Sequence, residues 1–292
     1  MRRSLIFLVI TSAVFATAAA LAAGANRDSK GEGLRTGIVN SGSFLPEVTS
    51  PSSQQCASTD PARIIAGCTA FLRTSPPRIT MSAAYTQRGL AHEARGEYDL
   101  ALADYDQAIM TDPKNTAALR NRGDHYLGAG KTERAIADYS EAIATEPKGA
   151  EAYNQRGIAY LTIGAMARAL ADYDQAIALN PKFAAAYGNR GEAYRTDAQT
   201  DKAIADFDMA IKLQPRLPVA FLSRGLAKED KSDFVHAIED FTQAIKLDPK
   251  YVAAYDERAS AYEHIGAHDK ALADAAEAMK LDPENANAHR IK

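Results

Sequence analysis

Six prolines recur along the 292-residue chain, each 34 residues after the one before: Pro113, Pro147, Pro181, Pro215, Pro249 and Pro283. Around each proline the same residue types occupy the same relative positions. A fixed period of this length is typical of repeat proteins, in which each repeat is one supersecondary unit and stacked neighbours share a core. The chain is therefore predicted to fold as an array of short repeats, for which length gives no count of globular domains.

Each period contains two stretches with helical spacing of apolar residues, separated by a bend. The first stretch has a column of large residues: Tyr85, Leu119, Tyr153, Tyr187, Phe221 and Tyr255. A column of small residues follows it: Gly89, Gly123, Gly157, Gly191, Gly225 and Ala259. The bend holds Gly96, Gly130, Gly164, Ala198, Ser232 and Gly266. Glycine relaxes the backbone there, and we expect Ala198 and Ser232 to do without that freedom.

The second stretch has two alanine columns with a ring column between them. The rings are Tyr105, Tyr139, Tyr173, Phe207 and Phe241, and repeat six has Ala275 in their place. We expect the rings to fill the space beside the small column of the first stretch. The proline then disfavours helix at the residue before it and is well suited to opening the next helix.

These columns resemble the tetratricopeptide repeat family, in the bacterial variant whose first helix reads Tyr-x-x-Arg-Gly and whose second reads Ala-Ile-Ala-Asp-Tyr. The resemblance runs without a gap from Ser82 to about Glu284. It implies an all-α fold, a right-handed α-solenoid of antiparallel helical hairpins, with six repeats in residues 81–284. Repeat five departs most from the pattern, with Lys228 in an aromatic or His column and Ser232 at the bend, so we expect it to be the least stable.

Residues 56–80 are predicted to form an N-terminal half repeat. The stretch from Arg63 to Leu72 aligns with the second helix of a full repeat, and Pro76 falls in the proline column. One such helix would cover the open face of repeat one. Cys68 then lies in the ring column, with Cys56 upstream. In an exported chain two cysteines favour a disulfide over a metal site, because they supply too few ligands.

Residues 1–25 are predicted to be a signal peptide, with Arg2 and Arg3 before an apolar run and cleavage after Ala20, Ala22 or Ala25. An uncleaved anchor and twin-arginine export are the alternatives. Residues 26–55, rich in Gly, Ser and Pro, are predicted to be a flexible linker, either a spacer or a leader without a role. Residues 285–292 are predicted to be a short C-terminal helix or tail. The expected location is periplasmic or secreted, with no transmembrane span after signal removal.

Composition and motifs argue against several classes of function. The net charge of −3 argues against a nucleic-acid partner, which favours a basic face. Of the six histidines only His264 and His268 are close in sequence, and Gly266 breaks the helix between them, so neither a metal site nor a cofactor is expected. No phosphate loop, His-Glu-x-x-His or nucleophile motif is present. The protein is predicted not to be an enzyme.

Two charged columns recur in step, an arginine in the first stretch and an aspartate 16 residues later. They are Arg88, Arg122, Arg156, Arg190, Arg224 and Arg258, with Asp104, Asp138, Asp172, Asp206, Asp240 and Asp274. A partly buried guanidinium needs a carboxylate of matching geometry, so we predict structural pairing. The alternative is a ladder that binds anions.

The family resemblance also implies a concave groove lined by the first helices. The candidate partner-binding residues are Leu90, Glu93, Arg120, Asp124, Leu127, Glu151, Asn154, Ile158, Leu161, Glu192, Arg195, Leu222, Leu226 and Glu229. Acidic residues outnumber arginines there, which favours a neutral or basic protein segment with apolar anchors. Thr86, Leu90 and Glu151 stand where some relatives hold a partner's carboxylate, so that mode is not expected. The predicted function is a scaffold for protein binding in the bacterial envelope. The alternative is a module that self-associates through its solenoid ends, as a weak homo-oligomer.

Overall fold

The structure is a computed structural model that describes residues 50–284. All regular elements of these residues are α-helices. Their bounds are α1 Pro51–Cys56, α2 Pro61–Leu72, α3 Arg78–Ala94, α4 Tyr98–Thr111, α5 Thr116–Gly128, α6 Thr132–Thr145, α7 Ala150–Thr162, α8 Met166–Leu179, α9 Ala184–Thr196, α10 Thr200–Leu213, α11 Pro218–Asp230, α12 Phe234–Leu247, α13 Val252–His264 and α14 His268–Leu281.

The described residues form two compact units, residues 50–168 and residues 169–284. In both units the two helices of a repeat pack as a hairpin, and the second helix packs against the first helix of the next repeat. The first helices of successive repeats also touch within each unit, as α3 touches α5 and α9 touches α11. The predicted all-α fold of stacked helical hairpins is confirmed.

In repeats one, two, four and five the core places a large ring against the small residue, as the columns predict. Tyr105, Tyr139 and Phe241 are completely buried. A Cβ added at Gly123 would lie 2.5 Å from Tyr139 Cε1, closer than real Cβ contacts. In repeat six Ala259 and Ala275 are both buried. The Ala259 methyl group fits there because Ala275 stands in place of the large ring.

The bends between paired helices share one backbone conformation, whatever the residue. Gly96, Gly130, Gly164 and Gly266 have φ between 71° and 74°. Ala198 and Ser232 have φ of 56° and 60°, so they adopt the same left-handed region that costs an L-residue about 1–2 kcal/mol. The expectation that these two residues do without the freedom of glycine is confirmed.

The prolines end helices but do not begin the next ones, which corrects the sequence prediction. Asp112, before Pro113, is extended with φ −138° and ψ 99°. The Asn115 backbone N–H then donates to Asp112 O at 3.0 Å, and this turn separates the proline from helix α5. Asn115 caps α5 by accepting from the Ala118 N–H.

The N-terminal region is a two-helix cap, where a single helix was predicted. Helix α2 occupies the predicted place, but all of α1 except Cys56 falls in residues 26–55, which were predicted to be a flexible linker. Ser50 and Ser53 form a capping box and Pro51 is the first helical residue, so a local signal for this helix was present. The predicted disulfide joins Cys56 to Cys68.

The predicted signal peptide, most of the linker and the predicted C-terminal tail lie outside the described residues. Between residues 50 and 284, no helix combines the length and the apolar character that crossing a membrane requires.

Candidate functional site

A framework of arginines and aspartates holds each first helix against the second helix of its repeat. Arg122 donates through Nε and Nη2 to both carboxylate oxygens of Asp138, at 2.8 and 2.7 Å. The same two-bond pairing joins Arg88 to Asp104, Arg190 to Asp206, Arg224 to Asp240 and Arg258 to Asp274. The predicted structural pairing is present in these repeats.

The remaining nitrogen, Nη1, of each arginine reaches the second helix of the preceding repeat, which the sequence reasoning missed. Arg122 Nη1 donates to Asp106 Oδ1 at 2.7 Å. The equivalent acceptors are Thr69, Ser140, Asp174, Asp208 and Thr242. A polar residue directly after the ring column was the available signal. One guanidinium therefore joins two repeats.

Aromatic rings complete the enclosure of these guanidinium groups. The Arg190 guanidinium carbon lies 5.7 Å from the Tyr187 ring centroid and 5.8 Å from that of Tyr194. The paired carboxylates hold the pKa of Arg122 and Arg190 well above the ordinary value, with hydrogen bonds as the main cause. These arginines are committed to the framework, which disfavours the alternative of an anion ladder.

We use the term inner face for the row of first-helix side chains that meet across repeats within one unit. In the first unit, the Tyr139 hydroxyl donates to Asp124 Oδ1 at 2.6 Å. Gln155 Nε2 donates to both oxygens of Asp124, and Arg120 Nε donates to Gln155 Oε1 at 3.0 Å. The side chains of α5 and α7 thus form one hydrogen-bonded network.

A second pair of contacts orients Glu93 on the same inner face. The Tyr105 hydroxyl donates to Glu93 Oε2 at 3.0 Å, and His125 Nδ1 lies 3.2 Å from Glu93 Oε1. In each case a buried core tyrosine reaches an inner-face carboxylate past the gap that glycine leaves. Both carboxylates are therefore held in position by neutral core hydroxyls.

An open pocket of about 640 Å³ lies between the first two repeats of this unit. Its lining residues are Leu90, Glu93, Ala94, Tyr98, Asp99, Asp124, His125, Gly128, Ala129 and Lys131. The surrounding helices remove water from the Asp124 carboxylate and so raise its pKa, although hydrogen bonds from Tyr139 and Gln155 oppose the rise. Because the Asp124 side chain remains exposed to water, we expect a smaller rise than an enclosed carboxylate would show.

The inner face of the second unit is acidic and more enclosed. Glu192 is fully buried and accepts from the Ser223 hydroxyl and from Arg195 Nε, the latter at 3.2 Å. Arg195 Nη1 also donates to Asp230 Oδ2 at 3.2 Å. Burial raises the pKa of Glu229, and burial with the nearby Glu229 and Asp256 raises that of Glu257 to about 7. One arginine thus serves several carboxylates.

The predicted groove residues separate into accessible and buried sets. The exposed or partly buried ones are Leu90, Glu93, Arg120, Asp124, Leu127, Glu151, Arg195, Leu226 and Glu229. Asn154, Ile158, Leu161 and Glu192 are buried, and Leu222 is 1% exposed within a core cluster that includes Phe241. The prediction that Leu222 faces a partner and does not support repeat packing is wrong, because this side chain already packs inside its own unit.

The two neighbouring histidines lie on different helices, since α13 ends at His264 and α14 begins at His268. His264 stacks on Phe234 with ring centroids 4.4 Å apart, and His268 Nδ1 lies 3.0 Å from Glu263 Oε1. Among residues 50–284, no group of three or more His, Cys, Asp or Glu side chains is placed to hold a metal ion.

Comparison with known proteins identifies the repeat. The sequence model described as "Tetratricopeptide repeat" matches residues 86–150, 120–181, 154–218 and 222–286, which together exceed half of the chain. The chain belongs to the tetratricopeptide repeat family. No curated protein sequence matches it.

Solved tetratricopeptide structures share this fold. PilW, titled a widely conserved type IV pilus biogenesis factor, aligns with a TM-score of 0.67 at 21% identity, over 72% of this chain and 98% of its own. Pseudomonas aeruginosa PilF aligns with 0.65 at 17% identity, over 74% and 98%. YrrB, titled a TPR protein with an unusual peptide-binding site, aligns with 0.51 at 19% identity, over 64% and 96%. At these identities the similarity concerns the fold.

Proposed function

We propose that the protein is a non-enzymatic scaffold that binds a segment of another protein on the inner faces of its repeats. The supporting observation is the first unit's inner face, where Glu93 and Asp124 are oriented by core hydroxyls beside the open pocket. Structural pairing does not need carboxylates oriented toward a cavity. Prepositioned groups of this kind lower the cost of ordering a binding surface.

The partner segment is proposed to be neutral or basic with apolar anchors. Glu93, Asp99 and Asp124 line the pocket against one cation, Lys131. On the second unit Glu229 and Asp256 are close enough to Glu257 to raise its pKa further than burial does, while Leu226 remains partly accessible. Opposite charge steers a basic segment, and apolar contact then retains it.

The proposed location is the bacterial envelope, with residues 1–25 acting as an export signal. The apolar run after Arg2 and Arg3 supports it, as does the disulfide, because disulfides persist in oxidising compartments. Among proteins of this fold, PilW is titled a pilus biogenesis factor. The mass and N-terminal sequence of the protein isolated from the envelope test the signal; a retained Met1 would contradict cleavage.

Site-specific photo-crosslinking in intact cells tests the binding face. A photoreactive residue at Glu151 or Glu263, both exposed on first helices, is expected to capture a partner protein. The matched controls are Ala137 and Ala205, exposed on second helices. Capture from the controls alone would contradict the proposed inner-face site.

Self-association is a second candidate, favoured by one observation. Leu272 is 44% exposed on the last described helix, α14. Light scattering over a wide range of protein concentration tests it. A monomer mass at all concentrations, unchanged by Leu272→Glu, would remove this candidate.

A further inference from the structure

The pocket of the first unit is lined by side chains of two kinds. The first kind is apolar or aromatic: Leu90, Ala94, Ala129 and Tyr98, which is 61% exposed. The Tyr98 and His125 ring centroids are 6.3 Å apart with planes tilted by 55°. An exposed aromatic ring at the edge of a pocket offers a face for a planar or cationic group.

The second kind consists of carboxylates that retain hydrogen-bonding capacity. A carboxylate has about four lone-pair sites. Glu93 has one contact on each oxygen, from Tyr105 and His125, and Asp124 Oδ2 accepts only from Gln155. Among the described residues, Asp99 has neither a side-chain hydrogen bond nor an ion pair. The carboxylates are thus oriented but not saturated.

The lining cation does not neutralise these carboxylates. Lys131 Nζ lies 5.9 Å from the Tyr126 ring centroid, and within residues 50–284 it makes no ion pair. Arg120 directs its Nε toward Gln155, and its charge offsets only part of the rise in the pKa of Asp124. The pocket therefore combines an exposed aromatic ring with unsaturated acceptors and an excess of negative charge.

We infer that this pocket binds an arginine side chain of the partner segment, with the guanidinium between Tyr98 and the carboxylates of Glu93 and Asp124. The volume of about 640 Å³ accommodates an arginine with part of its flanking chain. Guanidinium is favoured over ammonium because its planar fork bonds carboxylates in pairs and stacks on rings. This inference rests on the proposed function and names the partner's anchor.

Three short peptides that differ at one position test the inference on the full-length protein. The probes are acetyl-Gly-Leu-Arg-Leu-Gly-amide and its versions with lysine or citrulline, the latter an uncharged shape match of arginine. Binding is followed by NMR titration of the His125 ring signals, assigned with His125→Asn. We expect the arginine peptide to bind about tenfold more tightly than the citrulline peptide and about threefold more tightly than the lysine peptide.

Variants locate the effect. Glu93→Gln and Asp124→Asn are expected to weaken the arginine peptide by about threefold to tenfold each. Asp99→Asn, at an exposed residue without partners, is expected to weaken it about threefold without affecting folding. Tyr98→Ala is expected to remove the preference for arginine over lysine. Glu133→Gln removes one exposed carboxylate from α6, outside the pocket, and is the matched control.

Equal affinity for the arginine and citrulline peptides would overturn the inference, as would pocket variants that bind like the control. A preference for lysine would overturn the choice of guanidinium. If these results came with continued photo-crosslinking from Glu151 and Glu263, the arginine pocket would fail while the binding scaffold stood. Loss of all inner-face crosslinks would instead remove the proposed function.

Discussion

The two units share the same columns but hold their inner-face carboxylates by different means. In the first unit the core rings are tyrosines, and the hydroxyls of Tyr105 and Tyr139 reach Glu93 and Asp124. In repeats four and five of the second unit the rings are phenylalanines, and Glu192 is instead held by Arg195 of its own helix and by Ser223 of the next first helix. In the first unit the carboxylates are thus held from the core and stay accessible on the inner face. In the second unit Arg195 bonds the carboxylates Glu192 and Asp230 of that face itself.

The residues at the bends also differ between the two units. All three bends of the first unit contain glycine, whereas the second unit has Ala198 and Ser232 in the same left-handed conformation. The framework tolerates this strain because the Arg–Asp pairs on both sides are intact in repeats four and five. The comparison separates features that the repeat requires from features that vary between its copies.

Removing a framework arginine is expected to lower the free energy of unfolding more than any other change proposed. The loss should be larger in the first unit than in the second. Arg122→Met should lower the free energy of unfolding by about 3 kcal/mol, because Asp138 is then buried without a cation. Arg224→Met should cost less, about 1–2 kcal/mol, because Lys228 Nζ stays 2.7 Å from Asp240 Oδ2. Urea unfolding measures both. Equal losses would show that Lys228 does not compensate for the missing Arg224.

A pH dependence is expected to distinguish the second unit. The pKa of Glu257 rises from an ordinary 4.5 to about 7, mainly by burial and then by Glu229 and Asp256. The folded protein thus keeps a proton that the unfolded chain releases, so stability falls as pH rises from 4.5 to about 7, by on the order of 2 kcal/mol. Glu257→Gln should remove this fall, as measured by urea unfolding at several pH values.

The control for this prediction is Glu239→Gln, an exposed carboxylate of α12. It should retain the wild-type pH profile. Gln155 occupies the position of Glu257 in repeat three and bridges Arg120 and Asp124, so a neutral amide is already compatible with this site. A Glu257→Gln profile identical to wild type would assign the pH dependence elsewhere.

Exchanging a ring hydroxyl between the units tests the comparison directly. Tyr105→Phe should cost about 1.5 kcal/mol, because Glu93 loses a donor. Phe241→Tyr should be neutral or stabilising, because Glu229 stands in repeat five where Glu93 stands in repeat one. The new hydroxyl should also lower the raised pKa of Glu229, which carboxyl NMR titration measures. Phe241→Tyr as costly as Tyr105→Phe would mean that the second unit cannot accept the first unit's arrangement.

The bends give the smallest expected effect, of opposite sign in the two units. Ala198→Gly and Ser232→Gly should each stabilise by about 1 kcal/mol, because glycine adopts positive φ without strain. Gly130→Ala should destabilise by about 1 kcal/mol through the backbone alone, since nothing lies within 4 Å of an added Cβ. Thermal unfolding checks all three. Destabilisation by Ala198→Gly would show that helix propensity outweighs the bend.

Much of the fold was predictable because each repeat is a local unit repeated in sequence. The hairpins, the rings beside the small column and the arginine–aspartate pairs follow from columns of residue types. The disulfide follows from two cysteines in a chain predicted to be exported. Helix α1 was missed because composition was given more weight than the local Ser50-Pro51 capping signal. The acceptors Asp106, Asp174 and Asp208 were missed because their bonds run to the following repeat.

The candidate site was less predictable than the fold. Position along a first helix assigned fourteen residues to one groove, whereas the structure buries five of them, Leu222 and Glu192 included. A helical position sets direction, but exposure depends on the side chains that arrive from the adjacent helix. Tyr98 was missed because only first-helix positions were assigned to the groove. It is the first residue of the second helix α4, yet it lines the pocket of the first unit.

The sequence by itself determined the period, the helical hairpins, the family and the pairing of charges within a repeat. These depend on contacts at fixed short separations, which recur from one repeat to the next. Only the tertiary structure decided which inner-face carboxylates remain accessible and which are buried and hydrogen-bonded by neighbouring side chains. That outcome depends on individual side chains, which meet within a repeat, as Tyr139 does with Asp124, or across repeats, as Ser223 does with Glu192, and which differ from one repeat to the next.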